Sequence, residues 1–221
     1  MILPEHEANR LLTDAGVPMI AMKVVTSAQE AKAGAGDLRY PVVLKLSSSL
    51  YPHKTEIGGV FLNLENEDEV EGAFGKLEQL RDKLDRHACI ILERMAPAGA
   101  EFFVGFQSHP QFGPVISLGL GGVLLELIQD VTFRLIPAGT EDFREMFAEL
   151  QSWPKLKKGF RNLPPVNEGR LLNVLEKMSE VVLLHREIAE LDLNPVVVTS
   201  KGPIVVDARI VTHVSQPACQ S

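Results

Sequence analysis

Ala8, Leu11, Leu12 and Ala15 recur at helical spacing, which predicts a helix over 5–15 stopped by Gly16. Met22–Val25 then reads as a short strand. Ser27 and Glu30 have the spacing of a capping box, predicting a helix that ends near Gly34–Gly36. Tyr40–Lys45 is an apolar run that ends on a lysine, the pattern of a buried strand, and Val60–Leu64 is a second strand. Asn66 opens a charged helix to about Leu84, with Val70, Phe74, Leu77, Leu80 and Leu84 on one face. Strands dominate from Ala88 to about Pro137, broken at 97–99 and 119–122. Thr140 to about Leu150 is predicted helical, Lys155–Val166 is a basic loop, and Asn167 caps a long helix to about His185. Glu187–Asp192, Pro195–Thr199 and Pro203–Asp207 read as closing strands around the turn Ser200–Gly202.

Strands interleaved with helices early, followed by antiparallel-looking strands with few helices, predict an α+β protein of two subdomains. The character changes between residues 95 and 105. The expected division is 1–100 with the leading helix, 101–214, and a frayed tail over 215–221. A chain of 221 residues with 45% hydrophobic and 23% charged side chains fits one large domain or two intimate subdomains. Twenty-two basic against 29 acidic residues give a net charge of −7, which argues against nucleic acid or an anionic membrane as partner. It leaves room for an anionic small molecule met by a local cluster of positive groups. The two cysteines, Cys89 in an apolar run and Cys219, form neither a disulfide framework nor a metal pair. A cytoplasmic location is the expectation. No signal peptide is visible, and no apolar run approaches the roughly 20 residues needed to span a bilayer.

Four stretches carry residues suited to chemistry. Lys45 ends a buried strand, where an ammonium is costly unless it meets an anion. Ser47–Ser49, His53, Lys54, Gly58 and Gly59 follow with hydroxyls, a second lysine and backbone amides. That combination suits a phosphate, or equally a surface loop behind a snorkelling lysine; it is not the P-loop pattern. Glu93–Glu101 marks where one strand ends and another restarts, either as a hinge that reads a planar base or as a plain connection with solvated glutamates. Asn194 and Asp207 lie on strands joined by one turn, and their oxygens suit Mg²⁺, which needs only one or two protein groups beside phosphate and water. Alternatively, Asp207 pairs with Arg209. Gly119, Gly121 and Gly122 form an incomplete dinucleotide-type fingerprint, for which turns are the plain reading.

In their order these pieces resemble the ATP-grasp domain of NDP-forming acyl-CoA synthetases, the ADP-forming acetate–CoA ligases related to the succinyl-CoA synthetase β chain. The resemblance covers about residues 5–212. It is carried by Pro41–Lys45, His53–Val60, Phe112–Pro114, Gly119–Gly122, Asp192–Pro195 and Asp207–Arg209, with eight residues from Glu93 to Glu101. It implies an ATP-grasp fold, in which two α+β subdomains grip nucleotide between antiparallel sheets, and it implies ATP and Mg²⁺ as cofactors. Carried onto matching positions, it places Lys45 on the phosphates with Gly58 and Gly59 nearby. The backbone around Glu93, Met95 and Ala96 would meet adenine, Glu101 the ribose, and Asn194 and Asp207 Mg²⁺.

The resemblance further implies that ATP phosphorylates a histidine on a CoA-binding partner subunit or domain. The phosphoryl group then passes to a carboxylate, and CoA attacks the acyl phosphate. His53 and Lys54 match a His-Lys motif associated with phosphoryl relay, which makes them the candidate catalytic pair. An α2β2 assembly is the family expectation. The basic loop departs from the family pattern at Asn162, where a glycine is usual, and His109 stands where an acid is common. An ATP-grasp carboxylate–amine ligase and a nucleotide-sensing module of a larger acyltransferase are the alternative functions.

Overall fold

Residues 1–122 and 130–213 are described in the computed structural model of the chain. The expected tail over 215–221 and residues 123–129 of the strand-rich stretch lie outside the described residues. The fold divides into two units. The N-terminal unit comprises Pro4–Arg10 and Met19–Pro97, and the C-terminal unit comprises Met1–Leu3, Leu11–Pro18 and the chain from Ala98 onward. This differs from a single cut at residue 100. Helix α1 (Glu5–Asp14) contributes its first turns to one unit and its last residues to the other.

The N-terminal unit is built on a four-stranded antiparallel sheet of order β1-β4-β2-β3. Its strands are β1 (Met22–Val25), β2 (Val42–Ser47), β3 (Val60–Leu64) and β4 (Cys89–Arg94). Helices α2 (Ala28–Leu38) and α3 (Glu67–Leu84) start where the side chains of Ser27 and Asn66 accept from the amides of Glu30 and Glu69. Alternation along β2 sends Val42, Leu44 and Leu46 into a core with Ala31, Ala35, Val70, Phe74 and Leu77. The opposite face carries Val43, Lys45 and Ser47. All six β2 positions are buried, because the second face is covered as well. Helix α2 runs past the glycines where the sequence predicted its end. A β-carbon at Gly34 would come within 2.8 Å of Leu92 Cδ2, so this glycine lets the helix approach the sheet rather than stop.

In the C-terminal unit the order is β10-β8-β5-β6-β7, with β9 paired to β8. These are β5 (Ala100–His109), β6 (Gly113–Leu120), β7 (Val131–Leu135), β8 (Ile188–Thr199), β9 (Gly202–Val205) and β10 (Ala208–Thr212). Strands β7 and β8 are separated in sequence by helices α4 (Thr140–Glu149), α5 (Trp153–Leu156) and α6 (Glu168–Leu184), with α4 against β7 and α6 against β9. Phe102, Val104 and Phe106 of β5, Ile116 and Leu118 of β6, and Leu191 and Leu193 of β8 are buried at alternate positions.

Three features depart from the sequence expectation. The closing strands Glu187–Asp192 and Pro195–Thr199 are one continuous strand, β8, that passes through a cis Asn194–Pro195 bond. β10 follows Asp207, beyond the predicted end, because β8 is long enough to pair with β9 along its second half and β10 along its first. The basic loop begins with the short helix α5, fixed by burial of Trp153 and Leu156 and by stacking of Trp153 on Phe147 at 4.7 Å. Among the described residues, no helix is long and apolar enough to cross a membrane.

Candidate functional site

Lys45 sits in the middle of β2 with only 6% of its surface exposed. Its register explains its first partner. Val43 lies directly opposite Glu93 of β4, so Lys45, two residues along the same face, is a diagonal neighbour of Glu93. The Lys45 ammonium meets Glu93 Oε2 at 2.6 Å and Glu5 Oε1 at 3.1 Å. Lys54 reaches the other oxygen of the same Glu5 carboxylate. The anion that a buried strand lysine demands is therefore supplied within the protein, by a cluster of two ammoniums and two carboxylates. Burial alone would raise the pKa of Glu5, but Lys45 and Lys54 outweigh it and hold the carboxyl below its ordinary range. Glu93 is 1% exposed, which excludes the plain reading of a solvated glutamate.

The stretch after β2 folds into a tight turn. The carbonyls of His53, Lys54 and Thr55 accept from the amides of Glu56, Gly59 and Gly58 respectively, and Gly59 O accepts from Leu46 of β2. Both candidate glycine amides are thus engaged inside the turn, so Gly58 and Gly59 shape the loop and do not present free donors. His53 is exposed at its start and Lys54 is half-buried. In the strand junction, the Glu93 backbone lies within the sheet, in register with Met22 on one side and Val43 on the other. Glu93 therefore enters the site by its side chain, and the main chain leaves the ladder only after Arg94. Met95 N–H donates to Pro41 O, and Met95 and Ala96 are half-buried.

The C-terminal unit carries the other candidates. Glu101, near the start of β5, accepts from Gly121 N–H through its own carbonyl. Gly122 has φ +70°, and a β-carbon there would lie 2.5 Å from Glu101 Oε2. Glycine suits both conditions, so this position leaves room for the carboxylate. Asn194 N–H donates to Asp207 O at 3.1 Å, and Val206 N–H donates to Pro195 O. β5 shifts register between Phe102 and Val104, opposite Val196 and Leu193. Asn194 and Pro195 together face one residue, which is a β-bulge that turns the strand locally.

Asp192, two residues before Asn194, carries no signal in the sequence beyond its place in the Asp192–Pro195 motif. Burial raises its pKa, with Arg209 opposing and Glu190 adding to the rise. Arg209 reaches Glu190 and Asp192, each at 3.5 Å. Asp192, Gly105, Gln107, Ser117, Phe133 and Leu135 are among the residues lining a cavity of about 470 Å³ on this unit. Glu5 was missed as well, since an acid in a helix's first turn looks like ordinary dipole compensation. No group of three or more His, Cys, Asp or Glu side chains among the described residues could hold a metal. Asn194 and Asp207 offer two oxygen-bearing groups and no closed cage, which fits Mg²⁺ shared with phosphate oxygens.

A family model described as an ATP-grasp domain matches residues 1–212. The β subunit of acetate–CoA ligase (ADP-forming) I from Pyrococcus furiosus is 38% identical over 212 residues, covering 95% of this chain and 91% of that one. The chain belongs to the ATP-grasp domains of the ADP-forming acyl-CoA synthetases. This ATP-grasp domain spans only 30% of the length of other relatives, the acetate–CoA ligase (ADP-forming) II of Archaeoglobus fulgidus and the 4-hydroxybutyrate–CoA ligase of Nitrosopumilus maritimus. Acetyl-coenzyme A synthetase 1 of Ca. Korarchaeum cryptofilum, solved with coenzyme A and Ca-AMPCP, superposes with a TM-score of 0.88 at 36% identity, covering 96% of this chain and 93% of that one. The same enzyme with Mg-AMPPCP, its phosphohistidine segment pointing towards the nucleotide site, superposes at 0.83, with 36% identity and the same coverage. The α+β, ATP-grasp expectation is met, with antiparallel sheets in both units.

Proposed function

We propose that this chain is the ATP-binding, phosphoryl-transferring component of an ADP-forming acyl-CoA synthetase, working with a CoA-binding partner that carries a phosphorylated histidine. The overall reaction is carboxylate, CoA and ATP to acyl-CoA, ADP and phosphate, through phosphohistidine and acyl phosphate. The observation that carries this reading is the joining of Asn194 and Asp207 at the β8 bulge. The Korarchaeum enzyme, which matches almost the full chain, is solved in complex with Ca-AMPCP and with Mg-AMPPCP.

In this reading Lys45, held by Glu5 and Glu93, brings its positive charge to the phosphate oxygens. Lys54 supplies further positive charge, and His53 is the relay nucleophile. Adenine meets the main chain at Met95 and Ala96, where the backbone leaves the ladder, and Glu101 accepts from the ribose hydroxyls. Asn194 and Asp207 hold Mg²⁺, which when bound neutralises charge on the phosphates. The small carboxylate and CoA are recognised through the partner, in an α2β2 assembly in the cytoplasm.

The test is calorimetric titration of the chain with ATP, with and without Mg²⁺, repeated on Asn194→Ala and Asp207→Ala. The expected result is Mg²⁺-dependent binding in the wild type and loss of that dependence in both variants. A folded wild-type chain that ignores ATP under both conditions overturns the reading.

A further inference from the structure

We infer that Glu5 is a positioning residue for phosphoryl transfer, holding Lys54, and with it the His53–Gly59 turn, beside Lys45. The inference rests on the proposed nucleotide role of Lys45 and His53. Its structural content lies wholly within the N-terminal unit.

Glu5 opens α1 and is 7% exposed. Each carboxylate oxygen serves a different lysine: Oε1 takes Lys45 of β2, and Oε2 takes Lys54 of the turn. One carboxylate thus gathers two ammoniums from segments nine residues apart in sequence. Like charges would otherwise keep these ammoniums apart. The N-terminal end of a helix also favours a negative charge at this position. Thr55, Glu56 and Gly58 are exposed together with His53, and Gly59 O holds the turn's exit to Leu46 N–H of β2. Ile57 packs partly against the core. Lys54 is adjacent to His53, so restraining its side chain restrains the backbone that carries the imidazole. Charge and geometry together are what a phosphoryl-transfer site asks of its protein.

The experiment compares hydrogen exchange of the whole chain in wild type, Glu5→Gln and Lys54→Met, alongside calorimetry with MgATP. Glu5→Gln keeps shape and removes charge, while Lys54→Met breaks the same contact from the other side. The expected result is about tenfold or faster exchange at the amides of Glu56, Gly58 and Gly59 in both variants, with Ile90–Leu92 of β4 unchanged. MgATP affinity should fall several-fold in Glu5→Gln. Unchanged exchange in the turn overturns the inference. So does acceleration that spreads equally to β4, which would make Glu5 a general stabiliser of the unit. A wild-type chain that binds no MgATP sinks the nucleotide reading instead, and the exchange arm still decides whether Glu5 holds the turn.

Discussion

The main-chain N–H of Asn194 donates to the carbonyl of Asp207 at 3.1 Å, which ties the two proposed metal-binding residues together through backbone. The bulge at Asn194–Pro195 gives the first of them its local turn, and the return of the chain through β9 brings the second alongside. That tie runs between main-chain atoms, so substituting the Asn194 side chain leaves it intact. Asn194→Asp should keep Mg²⁺-dependent ATP binding, since an oxygen remains and a charge is added, whereas Asn194→Leu should abolish it. Asn194 is exposed, so both variants should unfold within about 0.5 kcal/mol of wild type. Equal ATP binding with and without Mg²⁺ in the wild type would remove Asn194 from the site.

Lys45 is ion-paired with two buried carboxylates, and its loss should be costly. Lys45→Met leaves Glu5 and Glu93 without that ammonium, and breaking a buried pair in this way costs about 3–5 kcal/mol. Urea unfolding of the single variant and of Lys45→Met/Glu93→Gln checks this, and the second substitution should restore part of the loss. Additive destabilisation would mean that the two side chains do not act as a pair.

Two lowered carboxyls of the N-terminal unit, Glu5 of this cluster and Asp85 outside it, set an acid limit. Glu5 has a folded pKa below its ordinary 4.5, and Asp85 has one below 3.8, in its case through a 2.5 Å hydrogen bond from Ser48 Oγ. Near those values the unfolded chain binds more protons than the folded one, so stability rises with pH. The contribution is complete above the ordinary pKa values and is lost as pH falls through the lowered ones. Urea midpoints at pH 7 and at about pH 3.5 should differ less in Glu5→Gln than in wild type. An identical drop in the two proteins would assign the acid sensitivity elsewhere.

His53 stands exposed at the start of the turn, its carbonyl engaged by Glu56 N–H. If it relays the phosphoryl group, the chain incubated with γ-labelled ATP should acquire an acid-labile, base-stable label. His53→Asn should abolish that label while leaving ATP affinity within about twofold. Label that survives the substitution would reduce His53 to a bystander of the phosphate site.

Much of this fold was readable because its signals are local. Ser27 and Asn66 cap their helices as their spacing predicted, and the lysine at the end of an apolar run is buried. What escaped depends on partners far away in sequence. Gly34 looks like a helix stop until Leu92 is seen beside it, and Pro195 looks like a strand break until the bulge absorbs it. Glu5 is 40 residues from Lys45, and nothing in its immediate neighbours marks it as the shared acceptor of two lysines. The glycine pattern of the turn suits a phosphate, but the amides of Gly58 and Gly59 donate to Thr55 and Lys54 carbonyls within the turn.

Glu101 and Gly122 make the sharpest case for a side chain given its room by a backbone. Gly122 takes φ +70°, and a methyl group there would overlap the position of Glu101 Oε2 at 2.5 Å. Because Glu101 is exposed, Gly122→Ala can be accommodated by swinging the carboxylate away, at a stability cost of about 1–2 kcal/mol for the left-handed backbone. If that carboxylate accepts from the ribose, displacing it should lower ATP affinity by about tenfold or more, the loss expected for a hydrogen bond to a charged group. The effect should depend on the sugar. Wild type should prefer ATP over 2′,3′-dideoxyATP, Glu101→Ala should lose the preference, and Gly122→Ala should follow Glu101→Ala. Calorimetry with both nucleotides separates this from general damage to the site. A Gly122→Ala chain that binds both nucleotides more weakly by the same factor would show that Glu101 does not read the ribose.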